Sequence, residues 1–335
     1  MNTLKDVAKL AGVSTATVSH VINGTRFVSE ELQEKVNNAM AQLDYRPNMM
    51  ARALKMGNQK TIGVIVPDCT NPFFAEISRS IDRYCFSKGY NIILCNTDNN
   101  LEQQSSYTNM LISKHIDGVI FISSDNTDDE INKFLKNSIP VVIADRIGKN
   151  SHVDSIIVDN EKGGYEATKY LINIGFRKIG CISGPSFISS SSQRVLGYKR
   201  ALKEANIEIR DEFISVGDFH FAGGIAAAEK FLKLDDKVEA VFATNDMMAL
   251  GFINALKNAG LSVPLDISVV GYDNIQLSQF MTPKLTTISQ PLEEVAKIST
   301  DLLLEKINNK QINNSSKLIR LSPTLIERES CLLKK

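Results

Sequence analysis

From Thr61 to Asp273 the chain alternates repeatedly between short apolar runs and longer stretches with helical spacing, and that alternation excludes most folds. The runs TIGVIVP, YNIILCN, DGVIFIS and PVVIA are separated by helical patterns at 74–88, 102–115 and 129–137. A second set, KIGCISG, FISVG, EAVFATN and ISVVGYD, goes with helical patterns at 163–174, 195–205, 223–232 and 247–259. Strands that are apolar at nearly every position have both faces buried, which in a βα alternation means parallel sheets covered by helices on both sides. Two sets in tandem predict two similar subdomains, 61–160 with 291–320 and 161–290 with 321–335. The tail makes the exchange: 292–307 reads as a helix, and LIRLSP and LIERES each offer a strand, so the chain crosses three times and forms a hinge.

Upstream the spacing is different. Leu4, Val7, Ala8 and Ala11 recur at helical intervals, Gly12 breaks the run, and Ser14 restarts it toward Val18, Val21 and Ile22. Thr3 with Asp6 is a capping-box pattern, Ser14 caps the second helix, and Gly12 supplies the positive φ a tight turn needs. This is a helix-turn-helix. The outer face of its second helix carries small and polar residues, Thr15, Ala16, Thr17, Ser19 and His20, which fill no core but suit base edges and phosphates in a major groove. A helical hairpin packed on a neighbour is the alternative reading of the same pattern. Ser29 then caps a third helix whose Leu32, Val36, Ala39, Met40 and Leu43 close a headpiece spanning 1–46, and a short linker follows over 47–60.

At 335 residues the chain is too long for one core. Its net charge is zero, but residues 1–60 hold 8 Lys+Arg against 5 Asp+Glu, or +3, which leaves 30 against 33, or −3, for the remainder. That asymmetry has the sign expected of a DNA-binding headpiece on a neutral-to-acidic body. No apolar run reaches the ~20 residues a membrane helix needs, and no signal peptide opens the chain, so the expected compartment is the cytoplasm, at the nucleoid. Five scattered cysteines and four scattered histidines give neither a disulfide framework nor a metal site, and no phosphate loop or nucleophile elbow is present. The expectation is therefore no catalytic residue, no metal and no cofactor. The Ser189–Ser192 run reads as a flexible polar loop rather than a nucleophile.

Taken together, TLKDVAKLAGVSTATVSHVING, TRFVSEELQEKVNNAMAQLDYRPNMMARALK and TIGVIVPDCTNPFF closely resemble the lactose-repressor family of bacterial transcription factors, and the resemblance continues through VVGYDN, FMTPKLTTISQP and LIERES. It implies an N-terminal helix-turn-helix headpiece on a periplasmic-binding-protein-like pair of doubly wound parallel-sheet subdomains. It also implies a homodimer on a palindromic double-stranded operator, with contacts from Thr3, Ser14, Thr15, Ala16, Thr17, Ser19, His20, Asn23, Arg26, Tyr45, Asn48, Ala51, Leu54 and Lys55. The linker would fold as a hinge helix in the minor groove, with Leu54 wedged into a base step; a plain linker is the alternative. Within the family the likeness looks strongest to ribose-operon repressors and slightly weaker to purine repressors.

In doubly wound sheets ligands sit at the carboxyl ends of strands. The residues there are polar and aromatic: Asp68, Asn71, Phe73, Phe74, Asp145, Arg146, Ser190, Arg194, Phe219, Asn245, Asp246 and Asp273. Such a set can hydrogen-bond several hydroxyls while an aromatic face stacks on a sugar's C–H side. For Asp68 and Asp246 taken singly, a salt-bridged structural role is the alternative. By resemblance, matching positions in ribose binders contact the ring, whereas purine repressors carry Trp at the position of Arg146 and Arg at that of Ile188. The expected function is thus a dimeric repressor of a sugar operon, released from DNA by a sugar, D-ribose first, with a protein corepressor as a further partner the family admits and no membrane partner. The rivals are a purine-responsive repressor of the same family, a sugar-modifying enzyme fused to a headpiece, and a pure sugar receptor.

Overall fold

The computed structural model describes residues 2–23, 26–45, 59–122, 128–145, 153–309 and 316–334. They form two compact units, Met1–Gln59 and Lys60–Lys335.

The first unit holds α1 (Leu4–Ala11), α2 (Thr15–Asn23) and α3 (Glu30–Gln42) around buried Val7, Ala8, Val18, Val36 and Ala39. The capping box forms in both directions: the Asp6 amide donates to Thr3 Oγ1, and the Thr3 amide donates to Asp6 Oδ2 at 2.7 Å. The Thr3 hydroxyl, which donates to Asp6 Oδ2 at 2.7 Å, and with it the Thr3 amide hold the Asp6 carboxyl below its ordinary pKa. Gly12 turns the chain at φ 67°, in the left-handed region. Ser14 Oγ accepts from the Thr17 amide at 3.0 Å, as the pattern predicts. Ser29 does stand at the N-cap of α3 but makes no side-chain cap bond; Glu30 and Glu31 in the first turn meet the helix dipole instead. The predicted hinge helix, with Asn48, Ala51, Leu54 and Lys55, lies outside the described residues.

The second unit contains two six-stranded sheets. The first has the order β11-β5-β4-β3-β1-β2, from β1 (Thr61–Val66), β2 (Asn91–Asn96), β3 (Gly118–Ile122), β4 (Val141–Asp145), β5 (Asp154–Val158) and β11 (Leu318–Leu321), all parallel. Helices α4 (Pro72–Ser87), α5 (Leu101–Ser113) and α6 (Asp128–Lys136), with α11 (Leu292–Asn309), cover it. The second has the order β12-β10-β9-β8-β6-β7, from β6 (Ile179–Ser183), β7 (Ile214–Val216), β8 (Ala240–Ala243), β9 (Ser268–Asp273), β10 (Thr286–Ser289) and β12 (Thr324–Ile326). Only its edge strand β12 runs antiparallel, against β10. Helices α7 (Asn160–Asn173) and α8 (Ser189–Glu204) pack on one face, α9 (Phe221–Leu232) and α10 (Asp246–Asn258) on the other.

The chain passes between the sheets after β5, after β10 and after β11, the three crossings the tail predicts. Strands β5 and β10 are not among the predicted apolar runs, because Asp154 and Ser155 in the first and Thr286 and Thr287 in the second are polar yet buried. The Ser189–Ser192 run is not a loop: it opens α8, with Ser190 and Ser191 buried. All five cysteines are free, four buried and Cys69 half-buried. Among the described residues no helix is long and apolar enough to cross a membrane, and no group of three His, Cys, Asp or Glu could hold a metal ion.

Candidate functional site

Parallel strands all end on the same side, so the loops after β1, β4, β6, β7, β8 and β9 enclose a common space between the two sheets. It is a cleft of about 290 Å³, small for a ligand site. The first sheet supplies Asp68, Asn71, Phe73, Phe74 and Asp145; the second supplies Ser190, Arg194, Phe219, Asn245 and Asp273. Three of these hold positive φ, Asp145 at 80°, Phe219 at 66° and Asp273 at 109°, a backbone region that non-glycine residues occupy at a cost and that clusters at binding sites. Asp145 and Asp273 are the last residues of β4 and β9, and Phe219 lies in the loop after β7.

Arg194 lies across the cleft floor and is only 4% exposed. Its Nε donates to Asn160 Oδ1 at 2.8 Å, one terminal nitrogen donates to the Thr244 carbonyl at 2.6 Å, and the same nitrogen stands 3.4 Å from Asp273 Oδ1. The guanidinium carbon sits 3.6 Å from the centroid of the Tyr272 ring. A long cation fixed on three sides loses little freedom when a ligand arrives, which favours binding. Asp273 Oδ1 also accepts from Gln290 Nε2 at 2.7 Å. Burial pushes the Asp273 carboxyl up to about 7, with Arg194 and Gln290 pulling it down and Asp145 pushing it further up.

Asn71 and Asn245 cap α4 and α10: Asn71 Oδ1 accepts from the Phe73 amide at 3.1 Å, and Asn245 Oδ1 from the Met248 amide at 2.9 Å. Phe73 and Phe74 meet edge to face, 5.1 Å between centroids. Across the cleft mouth His220 Nε2 of the second sheet's loops comes within 3.8 Å of Asp68 Oδ2.

Nine of the predicted effector residues therefore line one cleft: Asn71, Phe73, Phe74, Asp145, Ser190, Arg194, Phe219, Asn245 and Asp273. Arg146 lies outside the described residues. Asp246 is a correction. It is wholly buried and faces away from the cleft, one oxygen accepting from Thr287 Oγ1 at 2.6 Å and the other from the Ile275 amide at 2.9 Å. Sequence reasoning missed two residues that hold the cleft's polar groups without lining it: Gln290, which donates to Asp273, and Asn160, which accepts from Arg194. Gln290 follows β10 directly, so the strand-end rule reaches it once TTIS is taken as a strand.

In the first unit, Thr15 and Ala16 are exposed at the start of α2, as are Thr3, Ser14 and Arg26, while Thr17, Ser19, His20, Asn23 and Tyr45 are half-buried. Asn23 folds back on Ser19, donating to its carbonyl at 2.7 Å. Ser14 Oγ and Thr17 Oγ1 are 2.9 Å apart and share the cap.

Two family profiles match. "Bacterial regulatory proteins, lacI family" matches residues 3–48, and "Periplasmic binding proteins and sugar binding domain of LacI family" matches residues 59–327. The chain belongs to the LacI family. As a member it is a DNA-binding transcriptional regulator, a repressor as its relatives are named, and not an enzyme. Among curated LacI-family relatives it is 45% identical over 331 residues, 98% of each chain, to the HTH-type transcriptional repressor PurR of Vibrio vulnificus. It is 43% identical to the PurR of Aliivibrio salmonicida, covering 98% of this chain and 99% of that one. Among solved LacI-family structures, the lac repressor dimer bound to operator and the anti-inducer ONPF matches with a TM-score of 0.86 at 29% identity, over 99% of each chain. A regulator from Enterococcus faecium with bound ribose matches at 0.74 and 33% identity, over 82% of this chain and all of that one. The curated relatives carry the purine repressor's name, which corrects the expectation that the likeness to ribose-operon repressors is the stronger.

Proposed function

We propose that this repressor's hold on its operator is set by one small ligand bound between the two sheets. The observation that carries the reading is the pair Arg194 and Asp273, both buried and lining the cleft on the second sheet's side, opposite Asp145 of the first sheet. A ligand bridging the two sheets changes the angle between them and thereby the geometry in which two headpieces meet DNA. A coupling of ~1 to 3 kcal/mol changes operator affinity by roughly 5- to 150-fold. The protein works as a homodimer in the cytoplasm.

The relatives and the site pull toward different ligands. The names of relatives 42–45% identical over nearly the whole chain favour a purine, which those names support better than ribose. Ligand choice, however, resides in side chains rather than in the fold. Two carboxylates and a fixed guanidinium around a small cleft suit a ring bearing several hydroxyls, and Ile188 lines the cleft where purine repressors carry Arg. The E. faecium regulator with bound ribose is in keeping with this. The proposed effector is accordingly a pentose of the D-ribose type that releases the operator; a purine corepressor is the second reading. Calorimetry against D-ribose, other pentoses and hexoses, hypoxanthine and guanine decides between them, with operator binding measured alongside. Heat from D-ribose and weaker operator binding is the expected result. Heat from a purine alone, with tighter operator binding, overturns the sugar reading in favour of the second.

A further inference from the structure

Asp273, which faces the cleft, is followed by a second residue in the left-handed region, Asn274 at φ 57°. Two such residues in succession persist only where their surroundings hold them. The surroundings here are unusually complete. Arg328, from the segment after β12, donates from one terminal nitrogen to Asn274 Oδ1 at 2.6 Å and from the other to Ser278 Oγ at 3.0 Å and to the Leu285 carbonyl at 2.7 Å. The Asn274 side chain donates in turn from Nδ2 to Ser289 Oγ at 3.1 Å. Beneath the turn, Asp246 accepts the Ile275 amide at 2.9 Å and the Thr287 hydroxyl at 2.6 Å. A side chain at residue 271 would strike Asp246 Oδ1, so Gly271 leaves that carboxyl group its place. Burial, and after it the neighbouring Asp273, push the Asp246 carboxyl well above its ordinary pKa, while Thr287, the Ile275 amide and the Arg328 guanidinium pull it down.

We infer that Arg328 and Asp246 are positioning residues of the effector site: they clamp the Asn274–Ser278 turn from below and so fix the direction in which Asp273 enters the cleft. Neither touches the cleft. Arg328 reaches three acceptors on two segments with one planar fork, which a flexible ammonium does not reproduce. The inference rests on reading the cleft as the effector site, and it explains why a carboxylate at a strand end, Asp246, faces away from it.

The test uses the full chain and four variants, R328Q, N274G, the double variant, and S330A as a control. Ser330 is buried in the same segment and donates to the Val269 carbonyl at 2.6 Å without touching the turn; glycine at 274 keeps the positive φ while deleting the acceptor. Amide hydrogen exchange at 275–278 is read without ligand, and D-ribose and hypoxanthine are the probes of affinity. R328Q and N274G should each speed exchange at 275–278 and weaken the bound probe by about tenfold or more, and the double variant should lose less than the two single effects combined, the signature of a shared interaction. S330A, equally or more destabilised, should leave both readouts near those of the parent. Unchanged exchange at 275–278 in R328Q overturns the clamp, as do additive losses or unchanged affinity for a probe that the parent binds. If the parent binds neither probe, the effector reading fails while exchange still decides whether the turn is clamped.

Discussion

Asp273 carries the pH dependence of the site. Its folded-state pKa, near 7, lies well above the ordinary 3.8, because burial disfavours the charge more than Arg194 and Gln290 restore it. A raised acid binds its proton more readily when folded, so its contribution to stability is complete below the unfolded value and disappears as pH rises through about 7. Ligand binding has the opposite sign. A hydroxyl donating to Asp273 favours the carboxylate, so below that pH binding must expel a proton. Affinity should fall by up to about tenfold per pH unit on going from pH ~7 toward pH ~5, with proton release visible as calorimetric heats that change with the buffer's ionisation enthalpy. D273N should abolish that slope. An affinity independent of pH in the parent would show that the ligand does not engage Asp273.

Among the elements, α2 is the candidate DNA-reading helix. Thr15 and Ala16 are exposed, Ser14 and Thr17 serve the cap, and His20 is half-buried on the same helix. H20A should lose about 1 to 3 kcal/mol on the cognate palindrome and little on random DNA, by competition binding at fixed salt. Equal losses on both would place His20 on phosphate or in the headpiece core. The elements also explain what was readable in sequence. Apolar strands announce themselves, and so do Gly12, the Thr3 box and the polar residues that follow each strand; those features were enough for most of the cleft. Polar strands do not. Thr286 and Thr287 in β10 are buried because their hydroxyls are bonded, to the Arg328 amide and to Asp246, and Gln290 behind them was lost for the same reason. Asp246 misled in the other direction: its place in TND marks a strand end, but only the neighbouring hydroxyl and amide reveal which way it faces.

In the molecule as a whole, each sheet borrows its edge strand from beyond residue 317, and the three crossings tie the subdomains of Lys60–Lys335 into one cooperative body. A ligand at 100 times its dissociation constant should stabilise that body by ~2.7 kcal/mol. Scanning calorimetry should show a single transition for it that moves as one; two transitions, of which only one responds to ligand, would mean the subdomains melt independently. The late strands matter during synthesis too. The headpiece core draws on residues no later than Tyr45, whereas neither β5 nor β10 gains its outer partner until β11 and β12 emerge. Between the synthesis of β10 and that of β11, then, both β5 and β10 stand as unpaired sheet edges in a body whose ligand-facing loops are already made.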